Sequence, residues 1–475
     1  IKESLNIDKF NFGCRFEAWL QSGEKEMPSS LRILMRDESR NYEELATDYA
    51  QAGNWEDALA VVNAALTNIS APSTMLLYYK AWFLCRMNQQ DEAVCVVSQA
   101  ENSPLDEYFP NSLEAILALQ CVTNLPIHAP KAFYLLGNIW YDKRQYQEAV
   151  DAWEHSKEMD NGFPTVLRNL SLAYFNKLGK KKEAVQLLEQ AFMLDETDAR
   201  ILMELDQLYK RMDYSPKERL HLLNKHKEII ATRDDLYLEY ATLLNLTGEY
   251  EQAMQLIDQR QFHPWEGGEG KVPAQYQYAR IQLAKKSLKA GEYEHALALI
   301  EECFVYPHHL GEGKLYGAQE NDFLYYKGCI LEAMGNHDEA HSSFTKAASG
   351  NGQPTAAMYY NDQKPDKIYY QGLALRKVGK EAEARGRFNS LISYGEKHLY
   401  DTFVMDYFAV SLPDLQIWED DMDKKNRIHC NYLMGLGHLG LGDLDRAERY
   451  FRIAAGMDNN HQGVQIHLKM VGNLI

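Results

Sequence analysis

The sequence predicts an all-α solenoid of stacked helical hairpins, and three observations carry that prediction. A small residue recurs as Ala58, Ala93, Ala149, Ala184, Ala253, Ala296, Ala340, Ala384 and Ala447. A glycine-led turn precedes it in Gly53-Asn54-Trp55, Gly248-Glu249-Tyr250, Gly291-Glu292-Tyr293, Gly335-Asn336-His337 and Gly442-Asp443-Leu444. Large apolar residues flank both features at helical spacing, as in Phe133, Leu136, Gly137, Trp140, Tyr146, Ala149 and Trp153.

Each feature has a mechanical reason. Two antiparallel helices approach closely only if one offers a small residue where the other presents a bulky one. Glycine closes the first helix because a left-handed cap is open to it without strain. A single hairpin leaves an apolar face uncovered, so the next must stack on it. The run FYLLGNIWYDKRQYQEAVDAW fits the roughly 34-residue template of the tetratricopeptide repeat (TPR). A degenerate unit between 199 and 232 keeps the apolar spacing through Leu205, Tyr209 and Leu223. The expectation is a right-handed superhelix of about ten repeats.

The intervals divide the chain. From Ala58 to Ala93, and from Ala149 to Ala184, the spacing is 35 residues. It grows to 43, 44 and 44 through Ala296, Ala340 and Ala384, and then to 63 before Ala447. Between Ala93 and Ala149 there is room for an extra helix, Leu113 to Cys121, which is expected to break the array. Three portions follow: 1–128 with capping and extra helices, 129–260 with regular repeats, and 261–475 with long inserted segments. Such insertions map to one edge of a solenoid and often carry binding.

Composition narrows the function. The 475 residues carry a net charge of −18. Nucleic acid and anionic membrane surfaces are therefore disfavoured as partners, since both call for lysine and arginine. The charge promotes solubility and also allows a groove that draws in basic or amine-bearing ligands. No apolar run is long enough to span a bilayer. Cys14, Cys85, Cys95, Cys121, Cys303, Cys329 and Cys430 are scattered and never at Cys-x-x-Cys spacing, so neither a disulfide framework nor a zinc site is expected. A reducing, cytoplasmic setting fits this usage. The opening residues Ile1 to Asp8 read as the last turns of a helix, so the chain is expected to be a piece of a longer protein.

Several strings are more specific than repeat spacing. They are PWEGGEGKVPAQY (264–276), YPHHLGEGKLYGAQEND (306–322), YYNDQKPDKIYYQGLAL (359–375), DYFAVSLPDLQIWEDD (406–421) and HCNYLMGLGHLGLG (429–442). Through them, residues 262–467 resemble the C-terminal TPR region of large bacterial proteins of unknown function. In those proteins the repeats follow a domain that looks like a galactose-mutarotase β-sandwich. The resemblance implies a link to carbohydrate metabolism through a domain outside this chain. Residues 1–260 match only the general repeat.

Two constellations are candidate binding sites. Gly-Glu-Gly-Lys occurs at 268–271 and again at 311–314. It is no phosphate loop: the spacing, the following Ser/Thr and the preceding strand are all missing. Loops one repeat apart lie side by side in a solenoid, so Glu269, Lys271, Glu312 and Lys314 are expected on one rim with Trp265 and His308. The adjacent His308 and His309 are not expected to hold a metal, because neighbouring residues rarely point at one ion. If each small residue is numbered 20, position 5 is Tyr78, Tyr134, Tyr325, Tyr369 and Tyr432, and position 2 of the last three units is Asp322, Asp366 and His429. Those tyrosines are expected to face a concave groove or to pack between hairpins. The run Glu419-Asp420-Asp421 reads as a solvated helix start. No nucleophile triad and no cofactor motif is visible.

The expected function is a non-catalytic TPR scaffold that holds a protein or peptide through its concave groove and C-terminal loops. The alternative is an accessory region that binds oligosaccharide and completes a sugar site with a mutarotase-like domain.

Overall fold

The computed structural model describes residues 38–69, 72–105, 108–265, 267–357, 362–402 and 417–472. Among them are twenty-three α-helices, one short 3-10 helix and no strand. The chain is an all-α solenoid of helical hairpins. Expectations for residues 1–8, and for parts of the strings around 359 and 410, lie outside the described residues.

The chain forms two compact units, residues 1–195 and 196–475. The first pairs α1 (Glu38–Gln51) with α2 (Trp55–Asn68) and α3 (Thr74–Arg86) with α4 (Gln90–Asn102). A single helix, α5 (Leu113–Thr123), follows. The unit ends with α6 (Pro130–Asp142) paired to α7 (Tyr146–Met159) and α8 (Pro164–Asn176) to α9 (Lys181–Leu194). The extra helix is thus where it was expected, but it does not break the stack. It packs on both α3 and α6 and joins them.

The second unit opens with the degenerate hairpin of α10 (Ala199–Arg211) and α11 (Pro216–Asn224), followed by the one-turn α12 (Lys227–Ile230). Five hairpins follow. They are α13 (Asp234–Thr247) with α14 (Tyr250–Asp258), α15 (Lys271–Ala290) with α16 (Tyr293–Glu302), α17 (Asn321–Ala333) with α18 (His337–Ala347), α19 (Pro365–Lys377) with α20 (Glu381–His398), and α21 (Met422–Leu441) with α22 (Leu444–Met457). The single helix α23 (Gln462–Gly472) ends the unit. Four hairpins in the first unit and six in the second give ten among the described residues.

All nine recurring alanines are buried. The residue five places before each has positive φ. It is glycine at Gly53, Gly179, Gly248, Gly291, Gly335, Gly379 and Gly442, and Asn88 or Arg144 in the other two units. The tightest contact lies deeper. In four hairpins a glycine of the first helix lies under an aromatic ring of the second: Gly137 under Trp153, Gly328 under Phe344, Gly372 under Phe388 and Gly435 under Phe451. A Cβ on any of these glycines would stand 2.4 to 2.5 Å from the ring. The extra residues of the second unit are not all loop. Some lengthen helices, so that α15 and α21 reach 20 residues and α20 reaches 18.

The second unit also closes on itself. Arg219 on α11 is fully buried. Its guanidinium donates to Asp206 at 3.0 and 2.5 Å, to Glu239 at 2.6 Å and to Asn460, just before α23, at 2.8 Å. Asn459 and Asn460 donate to the backbone carbonyls of Asp213 and Tyr214. Trp418 is fully buried and its indole N–H donates to the Glu204 carbonyl at 3.0 Å. Gln462 and Gln275 pair their side-chain amides. Residues more than 200 positions apart are thereby joined, so the turn leading into the last helix, with Trp418, lies against the first hairpin of its unit. Asp420, expected to be solvated, serves this seam by pairing with Arg211 at 3.0 Å, while Asp421 caps α21.

Two substitutions test the packing. Trp153→Ala removes a ring that covers Gly137 and whose N–H reaches Tyr134 and Asn138, and should cost about 3–5 kcal/mol by urea unfolding. A loss under about 1 kcal/mol would contradict the burial. Arg219→Met leaves the buried carboxylate of Asp206 without its ion-pair partner and Glu239 with Lys210 alone, and should cost a further, separate roughly 3–5 kcal/mol. Hydrogen exchange should show the loosening spread to α23. Unchanged protection of α23 in this variant would show that the seam does not depend on Arg219.

Candidate functional site

The two Gly-Glu-Gly-Lys loops meet on the second unit. The Phe262 N–H donates to the His309 carbonyl at 2.8 Å, and Phe262 and Leu310 are both buried beneath the contact. Gly311 adopts φ +74°, and a Cβ there would stand 2.6 Å from the Phe262 carbonyl, so the close crossing requires glycine. Glu312 then reaches across. Its carboxylate accepts from the Gly270 N–H at 2.7 Å and so caps α15. Burial pushes the Glu312 pKa up, the Gly270 bond draws it back, and nearby Glu269 raises it again.

These loops frame a cleft of about 270 Å³ lined by His263, Pro264, Trp265, Gly268, Glu269, Val272, Leu310 and Glu312. Gly268 lies flat on the indole of Trp265, where a Cβ would stand 2.4 Å from the ring. Asp234 anchors the entry by accepting from the His263 backbone at 2.9 Å, from its ring at 3.0 Å and from Arg260 at 2.6 Å. Asp234 pays a burial penalty that raises its pKa, yet the bonds from His263 and Arg260 outweigh it and leave the pKa lowered. Glu269 is exposed and has no hydrogen-bond or ion-pair partner among the described residues. Chemically the cleft offers an aromatic surface, an apolar base of Val272 and Leu310, and two carboxylates.

Of the rim residues expected from sequence, the structure brings Trp265, Glu269 and Glu312 into one cleft. Lys271 lies exposed at the start of α15 and is not among the walls. Lys314 pairs with Glu320 and donates to the Phe304 carbonyl, away from the cleft. His308 is exposed, and its carbonyl is held by Gln261. The reading missed His263, Leu310 and the anchor Asp234. Asp234 lies 29 residues from its partner His263, and no local pattern marks such a pair.

The tyrosine set lies elsewhere in the unit. Position 5 proves to be a packing position, not an open wall. Tyr369 and Tyr432 are 3% and 4% exposed, and Tyr325 is half-buried against Tyr326, Phe344 and Tyr370. Two of them, Tyr369 and Tyr432, are further covered by α23, which sends His467 between them. Its ring meets Tyr369 edge-on at 5.4 Å, and its Nδ1 pairs with the Tyr432 hydroxyl at 3.2 Å. Asp322 is paired with Lys367, and His429 bonds to the Thr355 carbonyl at 2.8 Å. Asp366 is half-buried, with no hydrogen-bond or ion-pair partner among the described residues. In the first unit Tyr78 is also buried, its hydroxyl donating to Glu101, which caps α6.

Among the described residues no cluster of three or more His, Cys, Asp or Glu is placed to hold a metal, and no helix is long and apolar enough to cross a membrane.

A family model described as tetratricopeptide repeat matches residues 166–198, the hairpin of α8 and α9. Solved structures similar to the chain are repeat proteins as well. YrrB, titled a TPR protein with an unusual peptide-binding site, is 13% identical, with 48% of this chain and 90% of that chain covered and a TM-score of 0.28. A tetratricopeptide repeat protein from Parabacteroides merdae is 16% identical, covering 64% and 98%, with a TM-score of 0.27. The P58(IPK) TPR domain is 13% identical, covering 92% and 98%, with a TM-score of 0.22. At such scores these likenesses fix neither the arrangement of the repeats nor a ligand.

The buried histidine gives a pH dependence. Burial pushes the His467 pKa down to about 4, although the Gly463 carbonyl bond opposes the shift. An unfolded histidine titrates near 6.5. Between these values the unfolded chain binds more protons, so stability is full above about pH 6.5 and is lost as pH falls toward 4. Replacing His467 with Gln should flatten that part of the profile. Melting curves of the parent and the variant at pH 7.5, 6, 5 and 4.5 check it. Parallel losses in both would mean that His467 is not held neutral.

Proposed function

We propose that the chain is a non-catalytic interaction scaffold that holds a peptide segment of a partner protein in the cleft between the two inserted loops of its second unit. The observation that carries this reading is the build of the cleft. Its two loops are locked together by the Phe262 to His309 backbone bond and by Glu312 on α15, so the surface is preformed. An aromatic side chain ringed by polar groups over an apolar base is the usual anchor of protein recognition. The tetratricopeptide repeat stacks supply the rigid support. The tyrosines expected to line the binding groove are instead packed, Tyr369 and Tyr432 against His467 of α23 and Tyr325 against Phe344 and Tyr370, so the loop rim is the better candidate of the two. The cleft takes over the role the sequence gave to the groove.

A sugar ring also lies well on an indole, and oligosaccharide binding is the competing outcome of the same test. Thermal-shift screening of the chain against random heptapeptide pools and against oligosaccharides separates the two. Peptide pools should raise the melting temperature by a few degrees at saturating concentration. Trp265→Ala should abolish that rise; because its ring also packs on Gly268 and the core beneath, the unliganded variant should melt a few degrees lower while still unfolding in one transition. A rise with oligosaccharides alone would replace the peptide reading with the sugar one.

A further inference from the structure

The peptide-scaffold reading leaves open what the cleft selects, and the chemistry of its walls narrows this sharply. The polar side chains that face it at Glu269 and Glu312 are carboxylates, which only accept hydrogen bonds. His263 also lines it, but one ring nitrogen is already held by Asp234. No lysine or arginine is among the walls. Lys314 is committed to Glu320 and Phe304, and Arg260 to Asp234 and the Ala231 carbonyl. A sugar hydroxyl can donate to these carboxylates but gains no charge attraction from them, and a carboxylate ligand would meet repulsion. A group that only donates, carries positive charge on an apolar stem and rests on an aromatic ring fits Trp265 and the two carboxylates, with its stem on Val272 and Leu310.

We propose that the cleft binds the cationic side chain of a partner, a lysine ammonium or an arginine guanidinium, on Trp265 with Glu269 and Glu312 as its counter-charges. The inference rests on the peptide-scaffold reading and gives it a residue class. Three observations converge on it. A cation over an indole face is drawn by the ring quadrupole, and tryptophan is the best of the aromatic partners. Glu312 is half-buried beside Glu269, two like charges that a bound cation would reconcile. The chain as a whole carries a charge of −18, which raises the local concentration of basic segments and speeds their approach.

The side chains also fix clean variants. Glu269 is exposed and bonds to nothing among the described residues, so Glu269→Gln removes a charge without touching the fold. Glu312 caps α15 through Gly270, and Glu312→Gln keeps an acceptor oxygen for that cap. Glu294→Gln, at an exposed site on α16, reduces the net negative charge by one, as each single cleft variant does, and serves as the control for them.

The test is fluorescence anisotropy of the full chain with labelled glycine-serine heptapeptides whose central residue is lysine, arginine, glutamine or norleucine. Lysine and arginine peptides should bind at least tenfold more tightly than the other two. Their affinity should fall as salt is raised from 50 to 300 mM. The double variant E269Q/E312Q should lose that preference tenfold or more, and E294Q should keep it. Melting curves establish that each variant is folded. If all four peptides bind equally well, the cation inference is overturned while the peptide scaffold stands. Binding to none of them overturns the cation inference, and peptide pools that still shift the melting temperature show that the scaffold reading survives. A lysine preference that persists in E269Q/E312Q places the cation elsewhere and overturns this site.

Discussion

A glycine facing an aromatic ring sets the distance between the two helices of a hairpin, and the rest of each unit is built on that distance. Gly137, Gly328, Gly372 and Gly435 each accept a ring from 16 residues later in the chain. Any side chain there would force the helices apart, and the alanine below, already fully packed, would lose its contact. One such ring serves two neighbours. Phe388 lies over Gly372 of its own hairpin and also over Gly440 of the next. Stacking is therefore not a loose association of finished hairpins, because one side chain closes a hairpin and docks its successor. This is why the string HCNYLMGLGHLGLG is so rich in glycine. Gly435 faces Phe451, whereas Gly437 and Gly440 face α20. A helix gripped on both sides tolerates little Cβ.

Fixed spacing lets the array return to its start. Arg219 shows what that return demands. A guanidinium with no exposure needs each of its nitrogens engaged, and Asp206, Glu239 and Asn460 together do so through four hydrogen bonds. Such a buried cation is weak evidence for net stability but strong evidence for a specified arrangement, since few other placements would satisfy it. The closure places α23 against the tyrosines of α19 and α21 and fills the face that an open solenoid would present. The second unit thus spends its inner aromatic residues on its own last helix.

Much of this was legible in the sequence. The alanine and glycine periods are local, so they mark the hairpins, the turns and even the extra helix at Leu113 without any structure. The adjacency of the two Gly-Glu-Gly-Lys loops followed from repeat geometry alone, and Glu312 reaching Gly270 is its direct expression. What local patterns cannot carry is closure. Arg219 and Asn460 are 241 residues apart, and neither stands in a motif. Without the closure, a tyrosine at position 5 is as compatible with an open groove as with a packed interface. The same blindness explains the rim. Lys271 and Lys314 share a repeat position, yet their roles diverge because Glu320 and Phe304 lie beside only one of them.

The division of labour that results has a physical logic. Residues inside a closed array are held by neighbours on every side, and a ligand there would have to displace α23 before it gained a contact. Inserted loops at the rim face no such competitor. Their cost is conformational entropy, which grows only slowly with loop length. Here it is reduced further by the bond from Phe262 to His309, the Glu312 cap and the Asp234 anchor. A loop pinned at three points keeps its side chains in place before a partner arrives, so little ordering remains to be done on binding. Trp265 and Glu269 stand on such a loop. On the proposed reading, the long insertions of the second unit are where an array that has closed its own interior meets a partner.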